Sequence, residues 1–438
     1  MSSLHYGVTP KMKPLSPKRA AHVAILDIGS SKAACVVARL RPQTPKDTLR
    51  QRTHAVEIIG FGHTQSRGIK AGSVSDLTQV EQTVRHVVDL AERSAGLQLE
   101  AVILSVSAGR PGSEQISASV DVIGGAVTEG DISRVLGAGG RHSVRHGRAL
   151  LHSIPLGFRV DHGPLIQDPR GMLAQNFGID MHLATTDISV VRNLMLAVER
   201  CHLSIEAMVS APYAAGLSSL ADDESDLGAA VIDIGAETTT IAIFSGGRFT
   251  HHDGFALGGR HVTMDIARGL NTRIVDAERI KTLYGSVLAG SSDERDMISV
   301  PSVGDESEPP QFVSRANLVR IVKPRVEEIL ELVRDRLAAS PFAAEPRGRM
   351  ILTGGASQLT GLSELAAQII GRPTRIARPL GINGLPEEAK APAFAVAAGL
   401  LVYPQVVRLE HFEPRRTRQL LTGTGYFSRV GRWLKESF

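Results

Sequence analysis

Short, largely apolar runs separated by a tight polar turn occur once in each half of the chain. In the first half, His22–Leu26 and Ala33–Val37 flank the turn that begins at Asp27. In the second half, Ala229–Ile232 and Ile241–Phe244 flank a turn that begins at Asp233. Apolar runs of this length that are bounded by turn residues are typical of buried strands. Each half is therefore predicted to contain a strand, a tight turn with an acid at the bend, and a second strand.

Further apolar patterns extend both halves into mixed α/β units. Leu77–Glu92 has apolar residues at helical spacing, and it lies between the predicted strands Val56–Gly62 and Ala101–Val106. A strand is predicted at Ser204–Ser210, followed by an acidic linker at Asp222–Glu224. The other helices are predicted at Asp187–Glu199, Pro212–Leu220, Ala316–Ala338 with Pro324 inside it, and Ala393–Tyr403, the last one buried in the second lobe.

The length of 438 residues exceeds one ordinary domain and indicates two lobes, each with an added subdomain. The predicted segments are a disordered basic tail at 1–20, a first-lobe core at 21–108 plus 185–226, an inserted subdomain at 109–184, a second-lobe core at 227–262 plus 348–406, a second inserted subdomain at 263–347, a flexible linker at 407–424, and a terminal amphipathic helix at 425–438.

The two turns carry the groups that a nucleotide triphosphate requires. Glycine lets the backbone approach a ligand closely, and successive N–H groups in such a turn can hold an anion. The hydroxyls and the lysine would bind phosphate, and the two aspartates would hold the waters of Mg²⁺. The alternative is two ordinary hairpins, which the repetition disfavours. The residues in question are Asp27, Gly29, Ser30, Ser31 and Lys32 in the first turn, and Asp233, Gly235, Glu237, Thr238 and Thr239 in the second.

A third element has the features of a turn beside adenosine. The apolar run Met350–Leu352 leads into Thr353, Gly354 and Gly355, and a helix is predicted to start soon after Gln358. Two glycines let the backbone pass close to a flat base, and a helix N-terminus favours phosphate.

The order of these three elements resembles the superfamily of actin, Hsp70 and the sugar kinases. Within it, roughly residues 22–438 resemble the FtsA family of bacterial cell-division proteins. The stretches that carry this resemblance are Asp168–Met172, Gly258–Thr263, Asp265–Ala267, Ala277–Lys281 with Tyr284-Gly285, and Pro324–Ile329.

The resemblance implies an actin-like α/β fold with two lobes, built on duplicated ribonuclease-H-like cores, with an FtsA-type insert in the first lobe. It implies ATP and Mg²⁺ as cofactors, with at most weak ATPase activity. It also places Gly259, Glu278 and Lys281 near the nucleotide, although Glu278 and Lys281 could equally be a helix-surface pair. The implied work is to tether FtsZ filaments to the cytoplasmic face of the membrane at the division site. The implied partners are the FtsZ C-terminal tail on the second-lobe insert, further copies of the chain in a filament, and later divisome membrane proteins.

The last residues form an amphipathic pattern. At ~100° per residue, the bulky apolar side chains fall within an arc of roughly 140° and the charged ones lie opposite. A helix of this kind lies in an anionic lipid interface, because it is too short to span a membrane. The alternative is a helix docked on its own core. The predicted membrane-contacting residues are Tyr426, Phe427, Val430, Trp433, Leu434 and Phe438, with Arg429, Arg432 and Lys435 on the polar face.

The charge and the cysteine and histidine positions argue against nucleic-acid binding, a disulfide and a zinc site. The net charge of +4 is small for the length, and no periodic basic and aromatic pattern occurs, so nucleic acid is not an expected partner. Cys35 and Cys201 lie in apolar segments and predict no disulfide or zinc site. His142 and His146 are spaced as on a zinc-binding helix, but the surrounding glycines favour a solvated loop.

Two other functions fit the same fold. A small-molecule kinase would need a carboxylate base, for which Asp253 or Asp265 could be proposed, but it has no use for a terminal amphipathic helix. A pilus-assembly actin homologue would bind a peptide of its partner and rely on that partner for membrane attachment.

Overall fold

The computed structural model describes residues 9–140, 144–303, 309–345 and 347–410. Its strands are β1 (Ala21–Ile28), β2 (Lys32–Pro42), β3 (His54–Gln65), β4 (Ile69–Lys70), β5 (Ser73–Val74), β6 (Ala101–Val106), β7 (Gly112–Asp121), β8 (Arg148–Val160), β9 (Asn176–Asp187), β10 (Ser204–Ser210), β11 (Ala229–Ile234), β12 (Thr239–Ser245), β13 (Arg248–Phe255), β14 (Met297–Val300), β15 (Gln311–Ser314), β16 (Arg349–Thr353), β17 (Thr374–Ile376) and β18 (Ile382–Asn383).

The α-helices of the described residues are α1 (Leu77–Ala95), α2 (Glu129–Gly139), α3 (Ile188–Glu199), α4 (Ala211–Ser219), α5 (Asp222–Leu227), α6 (Gly259–Gly269), α7 (Ile274–Tyr284), α8 (Arg315–Ala338), α9 (Leu362–Ile370) and α10 (Ala395–Val406). Local sequence explains their ends, as α1 illustrates. The Asp76 carboxylate accepts the backbone N–H of Gln79, and Gly96 ends the helix in the left-handed region.

Two sheets of the larger compact unit repeat one strand order. The first runs β10-β6-β1-β2-β3-β18, and the second runs β17-β16-β11-β12-β13. In each, two parallel strands precede three antiparallel ones in these orders, and the first sheet ends with β18, which is parallel to β3. This repetition places the β1–β2 turn and the β11–β12 turn at corresponding positions of the two sheets, which is the duplication that the sequence predicted.

Each sheet is covered by a helix from the opposite half of the chain. Helix α4, from the first half, packs on β11 and β12, whereas α10, from the second half, packs on β1, β2 and β6. The two helices cross closely, because a Cβ on Gly399 would lie 1.7 Å from the carbonyl oxygen of Ala214. The buried helix predicted at Ala393–Tyr403 exists as α10, but it covers the first sheet and not only its own lobe.

The smaller compact unit contains residues 116–140 and 157–181 of the described chain. Helix α2 packs its apolar face on parts of β7, β8 and β9, with Phe158 stacked on Phe177 at the centre. Thr128 and Asp131 form a capping box at the start of α2. Residues 144–156, which the sequence analysis included in the insert at 109–184, have their contacts within the larger unit.

The second lobe carries its own inserted elements. Helices α6, α7 and α8 and the hairpin β14–β15 surround an apolar cluster that is continuous with the inner face of the second sheet. Helix α8 continues through Pro324 without interruption. On β14, Ile298 and Val300 face this cluster, so the alternate residues face outward.

Two segments differ from their predicted form. The acidic linker at Asp222–Glu224 is the first turn of helix α5, since the Glu224 carboxylate accepts the backbone N–H of Ala221. The described part of the predicted disordered tail, residues 9–20, contacts the first lobe. There the Thr9 hydroxyl donates to the Leu150 carbonyl at 2.8 Å, and Met12 and Leu15 pack on the core.

Candidate functional site

The two turns that the sequence predicted have the same backbone geometry. In the first, the Gly29 N–H donates to the Lys32 carbonyl at 2.9 Å, and in the second the Gly235 N–H donates to the Thr238 carbonyl at 2.9 Å. The flanking strands are antiparallel in both cases, with Ile28 opposite Ala33 in the first hairpin. The repeated sequence therefore gives repeated structure, and each turn places an aspartate at the end of its first strand.

The side chains of the two turns interact electrostatically. Burial raises the pKa of Asp233 to about 6, with a further contribution from the negative charge of Asp27 that Lys32 opposes. Burial also raises the pKa of Asp27, while a hydrogen bond from the Ser105 hydroxyl at 2.6 Å opposes the rise. Burial lowers the pKa of Lys32, against the attraction of both aspartates. The structure thus brings Asp27, Lys32 and Asp233 into one charged group.

The third element lies directly against this group. Gly354 follows β16 with φ +87°, and a Cβ there would lie 2.2 Å from Oδ1 of Asp233. Only glycine fits both this positive-φ conformation and the close approach. One turn of 3₁₀ helix, Gly355–Gln358, follows before α9, so the predicted change from strand to glycines to helix is present.

A polar network joins the second turn to helices α6 and α7. The Gly259 N–H donates to the Gly235 carbonyl at 2.9 Å. The Lys281 ammonium donates to the Gly259 carbonyl at 3.1 Å, to the Thr263 hydroxyl at 2.8 Å and to the Glu278 carboxylate at 2.8 Å. Gly259 also adjoins the third element, because a Cβ on it would lie 2.8 Å from that of Ala356. Glu278 and Lys281 therefore belong to the same neighbourhood as the turns.

For several predicted site residues, the structure shows contacts or exposure that the sequence did not indicate. Thr239 is fully buried and its hydroxyl donates to the Leu257 carbonyl at 2.8 Å, so it supports the turn and does not offer its proton to phosphate. The Lys32 ammonium, which was predicted to bind phosphate, donates to the Ala393 carbonyl and lies 3.9 Å from the centre of the Phe394 ring. Ser31 and Gln358 are exposed.

Glu237 differs in the same way from its predicted role as a nucleotide ligand. Its Oε1 pairs with Nε of Arg260 at 3.2 Å, and its Oε2 accepts the backbone N–H of Ala71 at 2.6 Å. Both oxygens are therefore already bonded to protein groups.

Sequence reasoning missed four contributors to the site, namely Ser105, Phe394, Arg260 and Ala71. Ser105 had a signal, because it is a polar residue within the apolar run Ala101–Val106. Phe394 and Ala71 had none, because their role follows from contacts over long sequence separations. Arg260 lies next to Gly259, in a stretch that resembles the FtsA family but carries no pattern that predicts an ion pair.

The donor set at the turns suits Mg²⁺ held through water. Burial raises the pKa of both carboxylates, and the charge of Asp27 raises that of Asp233 further, so a cation near them is favoured. Mg²⁺ suits this pair, because it takes only one or two carboxylates and keeps several waters. Among the described residues, no group of three or more His, Cys, Asp or Glu side chains forms a metal cage. His146 is exposed in a loop, and His142 lies outside the described residues.

Sequence comparisons identify the family. A model of the family described as "Cell division protein FtsA" matches residues 230–399, and one described as "SHS2 domain inserted in FTSA" matches residues 108–185. The chain is 50% identical over 438 residues to "Cell division protein FtsA" of Rhizobium meliloti, covering 100% of this chain and 99% of that protein. The chain belongs to the FtsA family. It is also 31% identical to the FtsA of Escherichia coli strain K12, over 94% of this chain and 97% of that one.

Structural comparisons confirm the actin-like fold that is expected of an FtsA. The PilM–PilN type IV pilus biogenesis complex aligns with TM-score 0.58 at 18% identity, covering 87% of this chain and 98% of that one. MreB5 of Spiroplasma citri bound to ADP aligns with TM-score 0.53 at 15% identity, covering 90% and 98%. A second structure of that protein, bound to AMPPNP, aligns with TM-score 0.53 at 14% identity, covering 88% and 97%. These likenesses concern the fold alone.

The predicted membrane-contacting residues, from Tyr426 to Phe438, lie outside the described residues. Within the described ranges, no helix is both long and apolar enough to cross a membrane.

Proposed function

We propose that this chain binds ATP with Mg²⁺ between its two lobes and tethers FtsZ filaments to the cytoplasmic face of the membrane at the division site. The observation that carries the ATP part is the convergence of Asp27, Lys32 and Asp233 from two turns of identical geometry, with Gly354 against them. The kinship with proteins named "Cell division protein FtsA" supports the division part.

In this proposal each site element has a separate task. The backbone N–H groups of the turns, with the hydroxyls of Ser30, Ser31 and Thr238, hold the phosphates. Asp27 and Asp233 hold the waters of Mg²⁺, which neutralises phosphate charge when it is bound. Gly354, Gly355 and Gln358 lie beside the adenosine, and the group of Gly259, Glu278 and Lys281 faces its ribose and base. ATPase activity is weak at most.

The tail supplies the membrane attachment. Full burial of one large apolar side chain is worth roughly 1.5–3 kcal/mol, and each basic residue near an anionic surface adds about 1 kcal/mol. Insertion into an interface is partial and the helix must also be ordered, so one tail binds weakly and reversibly. Self-assembly into a filament links many tails and raises avidity without new contacts. A weak anchor combined with assembly therefore gives a tether that can be switched.

The second-lobe insert offers an apolar surface for the FtsZ tail. Met297 on β14 and Phe312 on β15 are 55% and 66% exposed and share the outward face of this hairpin. Val275, at the start of α7 in the same insert, is 78% exposed. Exposed apolar residues on one face are typical of peptide-binding surfaces. Later divisome membrane proteins are proposed as further partners.

Electron microscopy on an anionic lipid monolayer tests the whole proposal. With ATP, Mg²⁺ and FtsZ, the full-length chain should recruit FtsZ filaments to the lipid, and a chain lacking residues 425–438 should not. Recruitment by the shortened chain would refute the tail as the anchor, and it would favour the pilus-assembly alternative, in which a partner holds the protein at the membrane.

The two carboxylates that could serve as bases in a kinase are both paired with arginines. The Asp253 carboxylate is bonded through both oxygens to Nη1 of Arg336, at 3.0 and 2.9 Å. The Asp265 carboxylate is bonded to Nε of Arg325 at 2.7 Å. Each carboxylate is thus already bonded to a guanidinium, and it would have to give up that bond to accept one from a substrate hydroxyl. Fast ADP production that depends on an added sugar or carboxylic acid would restore this alternative.

A further inference from the structure

The hairpin β4–β5 contacts both phosphate turns through its tip. The Ala71 N–H donates to Oε2 of Glu237, in the second turn, at 2.6 Å. The adjacent Gly72 N–H donates to the Ser30 hydroxyl, in the first turn, at 3.0 Å. One two-residue loop therefore bonds to a side chain from each lobe, and the bond to Glu237 crosses from the first lobe to the second. We call the Ala71–Glu237 bond the interlobe contact.

The conformation of the hairpin tip indicates that its contacts hold it in place. Ala71 has φ +46° and Gly72 has φ +72°, which is the type I′ arrangement of a two-residue hairpin loop. A non-glycine residue rarely adopts positive φ, and such a residue persists only where its surroundings determine it. Gly72 is also enclosed, since a Cβ on it would lie 2.7 Å from that of Ala108.

Both carboxylate oxygens of Glu237 are bonded to protein groups at the hairpin tip and on α6. Its side chain is only 14% exposed, and its second oxygen pairs with Arg260 at 3.2 Å. A carboxylate without hydrogen-bond partners would repel phosphates held by the same turn. One that is bonded to a guanidinium and a backbone N–H is held in place by those bonds. Glu237 is therefore placed to join the lobes and not to bind the nucleotide.

We propose that Glu237 is a positioning residue that slows nucleotide release by holding the two lobes together above the phosphates. This inference rests on the proposed binding of ATP. A nucleotide held between the lobes leaves when they separate, and separation breaks the interlobe contact. Removal of the carboxylate should therefore speed dissociation and leave association nearly unchanged.

Stopped-flow fluorescence with a methylanthraniloyl ATP and Mg²⁺ tests the proposal on the full chain. We expect Glu237→Ala to raise the dissociation rate about tenfold or more. Glu237→Gln keeps an oxygen that accepts the Ala71 N–H but loses the charge, so a rise of about threefold is expected. Glu387→Ala is the control, because it removes an exposed carboxylate that is far from Glu237 in the sequence. It should leave the dissociation rate unchanged. If Glu237→Ala does not fold, the Gln variant decides, and an unchanged rate in it refutes the proposal.

Amide hydrogen exchange shows whether the interlobe contact is lost, and its comparison with the release rate separates a merely structural role from an effect on the nucleotide. In the nucleotide-free protein, the peptide covering residues 66–76 should exchange faster in Glu237→Ala than in the wild type, and Glu237→Gln should restore most of its protection. Faster exchange with unchanged nucleotide release would show a contact with no effect on the nucleotide, and it would overturn the inference. Failure of the wild type to bind the fluorescent ATP would instead refute the proposed function, and this inference with it.

Discussion

His152 and Glu410 share a buried hydrogen bond that fixes the protonation state of the imidazole. Nδ1 of His152 donates to Oε2 of Glu410 at 2.8 Å, while Nε2 accepts the backbone N–H of Ser210 at 2.9 Å. Because a backbone N–H can only donate, Nε2 carries no proton and the ring is neutral. Burial lowers the pKa of His152 in agreement with this state.

The same pattern continues to His252 in the second sheet. Its Nδ1 accepts the Ser210 hydroxyl at 3.0 Å, and its Nε2 donates to the Gly112 carbonyl at 3.0 Å. His182 donates through Nδ1 to the Phe249 carbonyl at 3.0 Å. Ser210, at the end of β10, thus bonds to two neutral histidines from different sheets. No sequence pattern indicates this arrangement, because it joins residues that are far apart in the chain.

Stability should therefore fall in mild acid. Burial lowers the pKa of His252 from 6.5 to about 3. The unfolded chain takes up the proton first as the pH falls, so folding loses stability below about pH 6.5 and goes on losing it until the folded group itself titrates. For this residue the loss between pH 7 and pH 5 is about 2 kcal/mol. Urea unfolding at several pH values should show that His252→Gln is less stable at pH 7 but less sensitive to acid. His86→Gln, at an exposed histidine, should keep the wild-type slope.

Asp233→Asn should weaken ATP binding only when Mg²⁺ is present. The substitution removes one of two carboxylates that hold the waters of the metal, and loss of a charged hydrogen-bond partner costs roughly 1.5–3 kcal/mol, about tenfold or more in affinity. Without Mg²⁺ the affinity should stay the same or rise, because a negative charge near phosphate is gone. Equilibrium titration with and without Mg²⁺ measures both. Asp223→Asn, at a side chain 85% exposed, is the control. Equal losses with and without Mg²⁺ would contradict the metal role.

Gly354→Ala should disturb the site more than its backbone strain explains. An added methyl group would lie 2.2 Å from Oδ1 of Asp233 and must displace that carboxylate. Gly371→Ala is the matched control, because Gly371 also has positive φ, +71°, with nothing within 4 Å of the added atom. Each variant should lose roughly 1–3 kcal/mol, because a residue with a side chain is strained at positive φ. Only Gly354→Ala should also lose ATP affinity, and thermal unfolding and nucleotide titration separate the two effects.

Trp433→Glu should release the protein from anionic vesicles while ATP binding is retained. The change removes a large apolar side chain from the predicted lipid face and adds a charge there, so vesicle binding should weaken at least tenfold. Ser428→Glu adds the same charge on the opposite arc and should have a smaller effect, since only electrostatic attraction of about 1 kcal/mol is lost. Co-sedimentation with vesicles measures both. Equal losses would contradict the predicted orientation of the helix.

The sequence predicted those parts of the site that depend on local pattern. The β1–β2 and β11–β12 turns, and the glycines after β16, could be located because each is a short segment that follows an apolar run. The contacts of the Lys32 ammonium with Ala393 and Phe394 could not be predicted. Both residues are far from Lys32 in the sequence, and no sequence pattern marks them. The prediction of a linker at Asp222–Glu224 was wrong. Acidic residues are common in polar linkers and also in the first turn of a helix, and here they form the first turn of α5.

The position of α10 shows a further limit. A helix that is apolar all round indicates burial but not which surface it buries against. Its twelve residues, Ala395–Val406, are all buried, and its contacts with β1, β2 and β6 could be learned only from the structure.

This exchange of helices makes the duplicated halves inseparable. A first half that ends at Gly228 would lack α10, so the face of the first sheet that α10 covers would be open to water. A second half that starts at Ala229 would lack α4 on the second sheet. Neither half should be soluble when expressed alone, but the two should recover the native structure when produced together. The two halves should therefore unfold together, as one cooperative unit.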